Sequence, residues 1–546
     1  MHRVLSSNWK CASVVILFGV AAMLPAAFFG IPSGPDLRAH LRVAMSYDEA
    51  IRSGELHPGW LAGSNDGYGD TSFRVYPPGL YYLLVAARAL TGDWYAGFIL
   101  TFTLLSVIGG LGAYFWARAL SSQEIAMWAG VLYTLAPYHI TEFYQSALLA
   151  EYAGGAALAF AFGYTERVCQ RGRACDIAGL AASLAALVLT HIPMTMMGAL
   201  ALCVYTLFQA DRRNFIPSLA RLAAGVLLGA LASACYWVTL ISELHWVKGD
   251  TIQPGQRYNY RSEFLFSTFS TENLNVWYGN IVAVATLALI WPGLIPACNA
   301  GQQKRSSQGL KLLAALSLLM TTPLSQPLWM VIPKLGSIEF PWRWLAVTSI
   351  VGAVAVAVVI PWWIREARGG RRPLALLAAG SALIALSFTL SNPIRDAFYL
   401  SRPQFNDLIR SLPGSQSLEE WIPMWAKSAP RDMKSDVEVT SRSCQITSWE
   451  SEKRTFVIGP GNTTEARIRT FFYPHWVATA DNRPLPLRPD GDGALLVNLP
   501  PNRVSVTLEF REPARTRIAE CLSVVGWMSI GCLVMLDGWM KRRTSL

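Results

Sequence analysis

The chain is poor in charge: Asp, Glu, Lys and Arg make up only 15% of its 546 residues. Soluble domains carry roughly 25%, so this composition excludes an ordinary soluble protein. Nine cysteines are present, without the spacing of a disulfide framework. Cys11, Cys203, Cys235, Cys521 and Cys532 lie in or beside apolar runs. Cys169 and Cys175 share a basic loop that lacks a histidine, which argues against zinc. The sequence also lacks a Walker-type phosphate loop, a Rossmann fingerprint in strand–helix context and a His-Glu-x-x-His helix. A chain without a nucleotide loop takes its substrate already activated.

What the chain has is apolar length. Hydrophobic residues reach 52%, with 20 Trp, 19 Tyr and 23 Phe, as expected where rings sit at lipid–water boundaries. The apolar runs predict a polytopic α-helical membrane protein of about twelve spans. They include 124–138, 145–163, 177–191, 310–326 and, last, 517–538. The first, from about Cys11 to Phe29, is long enough to span and reads as an uncleaved helix. The formal charge of +10 falls in short connections: Arg167, Arg171 and Arg173; Arg212 and Arg213; Lys304 and Arg305; Arg365, Arg368, Arg371 and Arg372; and Lys541 to Arg543. If the spans alternate, all share the side of the N-terminus. They therefore orient the chain, with both termini cytoplasmic, rather than bind nucleic acid.

This topology predicts a transmembrane domain over 1–390 with outer loops at 31–94, 242–277 and 327–342. The segment 78–90 is apolar but too short to span, and reads as a surface helix. Residues 391–516 read as an outer domain, β-rich from about 437 and β-sandwich-like, before the last helix and basic tail at 517–546. Its strands are expected at Val437–Thr440, Thr455–Ile458, Ala466–Phe472, Ala494–Asn498 and Val504–Phe510, separated by Gly- and Asp-rich turns.

Candidate chemistry clusters in the outer loops. Asp36 and His40 lie one helical turn apart, with Arg38 and Arg42 beside them. A carboxylate there can accept a hydroxyl proton, hold a divalent metal with His40, or simply cap the helix. Glu142 and Glu151 flank the turn into the 145–163 run. An acid inside the bilayer boundary costs about 2.5 kcal/mol or more, which makes Glu151 a functional candidate, the alternative being a structural hydrogen bond to a neighbouring helix. His191, in Thr190-His191-Ile192-Pro193, reads as a turn residue. Arg343, in Phe340-Pro341-Trp342-Arg343, can grip a phosphate or anchor the interface. Tyr258 and Tyr260 can stack on a sugar.

The order of Asp36, then Tyr76-Pro77-Pro78-Gly79-Leu80-Tyr81-Tyr82, before the next span resembles the GT-C class of membrane glycosyltransferases. More closely, the chain resembles bacterial membrane proteins labelled "6-pyruvoyl-tetrahydropterin synthase-related". The resemblance rests on Asp36 and His40, Pro77 and Pro78, Ala150 and Glu151, and Phe340 to Arg343. It departs near Gln145-Ser146-Ala147, where relatives often carry Arg-Gly. The resemblance implies an enzyme of the bacterial inner membrane with its site outside the cytoplasm. Such an enzyme moves a sugar from a polyprenyl-phosphate donor to a lipid, glycan or protein acceptor, with Mg or Mn as possible cofactor. Asp36, His40 and Glu151 would be catalytic; Arg38, Glu142, Arg343, Tyr258 and Tyr260 would bind substrate. The alternative is a scaffold, flippase or exporter component. A single outer cavity holding Asp36, Glu151 and Arg343 would favour the enzyme; a transmembrane path with these residues apart would favour the alternative.

Overall fold

Helices dominate up to residue 395 because apolar runs in lipid must satisfy every backbone group internally. The computed structural model describes residues 2–209, 214–248, 259–295, 302–416, 421–427, 430, 432–481 and 483–544. Among these, eight helices are long and apolar enough to cross a membrane: Trp9–Phe29, Trp94–Arg118, Ile192–Gln209, Phe215–Ala232, Leu274–Leu294, Pro341–Glu366, Arg372–Arg395 and Ala514–Arg543. The difference from about twelve runs has a physical source. The run at 124–138 folds as Gln123–Thr134, only 12 residues long, which is about 18 Å at 1.5 Å per residue. The run at 177–191 gives the 17-residue helix Ala174–Thr190. The helix Leu149–Gln170 is long enough but carries Glu151, Glu166 and Arg167.

The Trp344–Glu366 helix is the hub. Nearly all its residues from Trp344 to Val359 are buried, and they pack with Trp116, Phe162, Met197, Tyr205 and Leu313 in one core. Small residues let the helices close up: a Cβ added at Gly130 would lie 2.8 Å from the Gly110 carbonyl oxygen. The last helix, Ala514–Thr544, exposes Val524, Met528, Val534 and Leu536, the surface a lipid-facing helix requires.

A second apolar core gathers the segment between the first two spans. Leu37, Leu41, Tyr47, Tyr81 and Leu84 pack there with Phe102, Phe143 and Phe405. The apolar 78–90 segment folds as Gly79–Thr91, ended by Gly92 at φ 74°. The strand Ile31–Pro32 pairs antiparallel with Tyr399–Leu400. Gly30 precedes it at φ +123°, and a Cβ there would meet the Leu400 carbonyl oxygen at 2.3 Å.

Before the last helix comes a β-rich region of two antiparallel sheets. One orders Val437–Val439, Thr464–Phe471, Ala494–Leu499 and Leu487–Pro489; the other orders Cys444–Trp449, Lys453–Ile458, Val504–Phe510, Trp476–Ala480 and Arg483–Leu485. Val504, Val506, Leu508 and Phe510 alternate inwards, as strand geometry dictates. Trp60 and Tyr68, from the segment between the first two spans, join that core. A buried ionic knot fastens this region to the helices. Glu243, which ends the Ala234–Glu243 helix, is paired with Arg74. It also accepts from Tyr473 OH and lies against His475 Nε2, both at 2.8 Å, while Arg74 also pairs with Glu512.

Candidate active site

One end of the helical region surrounds a cavity of about 840 Å³. Asp36 begins the Leu37–Arg52 helix, but its side chain makes no cap hydrogen bond; the carboxylate lines the cavity instead. His40 follows one turn on, with Nδ1 3.1 Å from Tyr81 OH. Burial pushes the His40 imidazole down to about 4, so it is neutral at physiological pH.

Glu151 enters from the first turn of Leu149–Gln170. It is 1% exposed. Tyr138 OH donates to its Oε1 at 2.8 Å, and Arg343 Nε stands 3.3 Å from its Oε2. Arg343 is carried by the one-turn helix Pro341–Arg343 that opens the hub helix. Its guanidinium lies 5.1 Å over the Phe340 ring, so the Phe-Pro-Trp-Arg sequence builds both the turn and the aromatic bed of the cation. Asp36, His40, Glu151 and Arg343 thus come from three separate segments and share one cavity wall.

Other expected residues are placed elsewhere. Arg38 is exposed and off the cavity wall, since it lies on the outward face of its helix. Arg42, one turn further, is buried against Asp70 at 3.3 Å. Glu142 is not on the wall: the Pro137–Tyr144 helix turns it inwards, where its Oε2 lies 3.1 Å from His139 Nδ1. His139 is stacked between Tyr133 and Tyr152 at 4.4 and 4.1 Å. Tyr260 stacks on Trp329 at 5.5 Å and does not reach the cavity. Tyr258 lies outside the described residues.

The wall also includes residues that sequence reasoning missed: Tyr76, Tyr138, His191, Asn275, Glu339 and Trp421. His191 does turn the chain, with its Nδ1 accepting from Met194 N at 3.2 Å, and it faces the cavity as well. A histidine inside an otherwise apolar helix–Pro–helix connection was the available signal. Gln145 stands on the wall, its Nε2 donating to Pro393 O at 2.7 Å. Ala147, two residues on, sits at φ 50°, a conformation glycine adopts more readily.

Among the described residues no three His, Cys, Asp or Glu side chains converge closely enough to hold a metal ion. Asp36 and His40 supply two donors, and His40 Nδ1 is engaged with Tyr81. The residues do not fit an all-protein metal cage.

Sequence comparison decides the family. A model described as "6-pyruvoyl-tetrahydropterin synthase related domain; membrane protein" matches residues 73–394, more than half of the chain. The chain belongs to this family. The matched stretch includes Tyr76, Tyr138, Glu151, His191 and Arg343, whereas Asp36 and His40 precede it. No curated protein sequence matches the chain. Among solved structures, the Archaeoglobus fulgidus oligosaccharyltransferase tethered with an acceptor peptide is 12% identical, with a TM-score of 0.48 over 76% of this chain and 60% of that one. The mycobacterial arabinofuranosyltransferase AftD is 16% identical, at TM-score 0.45 over 73% and 28%. ArnT from Cupriavidus metallidurans, bound to undecaprenyl phosphate, is 15% identical, at TM-score 0.42 over 74% and 76%. The chain spans less than two thirds of the archaeal enzyme it matches.

Proposed function

We propose that this family member is an inverting glycosyltransferase of the bacterial cytoplasmic membrane. It takes a sugar from a polyprenyl-phosphate carrier and delivers it to a hydroxyl of an envelope lipid, glycan or protein at the outer membrane face. One observation carries this reading: Asp36, Glu151 and Arg343, far apart in sequence, share one cavity, with Arg343 3.3 Å from Glu151.

The Asp36 carboxylate accepts the proton of the acceptor hydroxyl as its oxygen attacks the anomeric carbon. The bond from that carbon to the carrier phosphate oxygen breaks, and the phosphate leaves with the electron pair. Arg343 stabilises the charge that develops on the leaving group, a role that favours a guanidinium. Glu151 positions Arg343, and Tyr138 holds Glu151. Neutral His40 donates or accepts a hydrogen bond to the acceptor side. Trp421, Tyr76 and Tyr278 supply aromatic wall for a sugar ring.

The test is Asp36→Asn in membranes supplied with radiolabelled polyprenyl-phosphate sugar. Loss of transfer with donor binding retained is expected. Unchanged transfer removes Asp36 from the reaction. If no variant of Asp36 or Arg343 alters transfer while envelope glycan export fails, the exporter reading replaces this one.

A further inference from the structure

The far end of the helix that supplies Glu151 holds a second pocket with a different chemistry. From Glu151 to Arg171 the chain advances about 30 Å at 1.5 Å per residue, the thickness of a bilayer's hydrocarbon core. There a pocket of about 360 Å³ is lined by Trp9, Tyr114, Phe115, Arg118, Arg167 and Arg171. Three guanidiniums therefore converge at the opposite end of the helices from the cavity. The only carboxylate paired with any of them among the described residues is Asp176, 4.0 Å from Arg167 Nε. Glu166 is buried and committed to Tyr205 OH and Gln170 Nε2 at 2.6 Å each. Arg118 and Arg171 are exposed and form no ion pair among the described residues. Arg167 is fixed over the Phe115 ring at 4.3 Å, and Trp9 stands 72% exposed at the rim.

We propose that this pocket binds the phosphate-bearing head group of an anionic phospholipid in the cytoplasmic leaflet. Orientation of the chain needs only that basic residues lie on one side. It does not need three of them around a concave space with aromatic walls. An indole at the rim and a ring under a guanidinium match the glycerol and phosphate levels of a lipid, and basic pockets between transmembrane helices suit such head groups. The volume is within the range of small-molecule sites. The site is independent of the transferase reading, because it needs only that the chain spans a membrane.

The experiment places the full chain in nanodiscs of equal parts phosphatidylcholine and phosphatidylglycerol. Lipids co-released with the protein are then counted by native mass spectrometry. Wild type retains phosphatidylglycerol preferentially. The Arg118→Gln/Arg171→Gln variant loses this preference by about fivefold for each arginine, the worth of one basic side chain near an anionic surface. Arg118→Lys/Arg171→Lys keeps much of it, which separates charge from misfolding. Arg368→Gln/Arg372→Gln, exposed at the same end of the hub helix, leaves it unchanged. No loss in the first variant, or equal losses in the first and last, overturns the proposal. In discs of phosphatidylcholine alone, inorganic phosphate is titrated. Binding of phosphate as tight as that of phosphatidylglycerol assigns the pocket to a free anion and overturns the lipid.

Discussion

Arg343 Nε lies 3.3 Å from Glu151 Oε2, and Glu151 is nearly sealed from solvent. A buried carboxylate and a guanidinium hold each other only while both are present. The pair holds a cation at the cavity wall.

Arg343→Gln is expected to lower kcat by about 10²–10³-fold, the cost of removing one preorganised charge from a transition state. Arg343→Lys recovers part of the rate, because a point charge replaces a fork. Single-turnover transfer assays on purified protein separate this from donor binding, which changes less.

Glu243→Ala is expected to destabilise the attachment of the β-rich region by about 1–3 kcal/mol, since Arg74 keeps only Glu512 while Tyr473 and His475 lose their buried partner. Limited proteolysis and thermal unfolding read the loss. Burial alone would raise the Glu243 carboxyl, but hydrogen bonds from Arg74 and His475 outweigh it and hold it well below the usual carboxylate range. Its stabilisation is present above the unfolded value near 4.5 and is lost as pH falls towards the folded value.

His40 gives a second acid-side slope. Its folded value, about 4 against 6.5, means that between these limits the unfolded chain binds more protons. Stability therefore rises with pH from about 4 to 6.5. His40→Gln flattens that part of a pH–melting profile. Transfer activity above pH 6.5 shows no titration assignable to His40.

Glu452 carries the opposite sign. Burial raises its carboxyl to about 7, although Gly59 N–H donates to it at 2.6 Å. The folded chain binds the extra proton between 4.5 and 7, so stability falls as pH rises through that range. Glu452→Gln raises the melting temperature at pH 8 and removes this slope. An unchanged profile contradicts the burial argument.

Sequence legibility followed how local each signal was. Glu151 and Arg343 stood out because a charge at an apolar helix end is costly and so conspicuous. Val504–Phe510 was readable from its strict alternation, whereas Cys444–Trp449, with Gln445, Ile446 and Thr447 all exposed, offers no apolar face to detect. Glu142 lies behind the cavity wall for a geometric reason. It is two residues from Tyr144 in an eight-residue helix buried on every side, so no amphipathic face announced its direction. Trp421 and Asn275 reach the cavity through tertiary packing alone, and the intact Trp-Arg pattern at 342–343 gave no hint of them.

The two-residue ladder between Ile31–Pro32 and Tyr399–Leu400 has a consequence in time. The segment that aims Asp36 is clasped by Tyr399 and Leu400, made long after it, and Gly30 leaves room for nothing larger at the clasp. During synthesis the segment after the first helix therefore waits without its partner while the intervening helices are made. The cavity closes as a unit only after residue 400 has emerged, so a chain truncated before that point inserts without an assembled site.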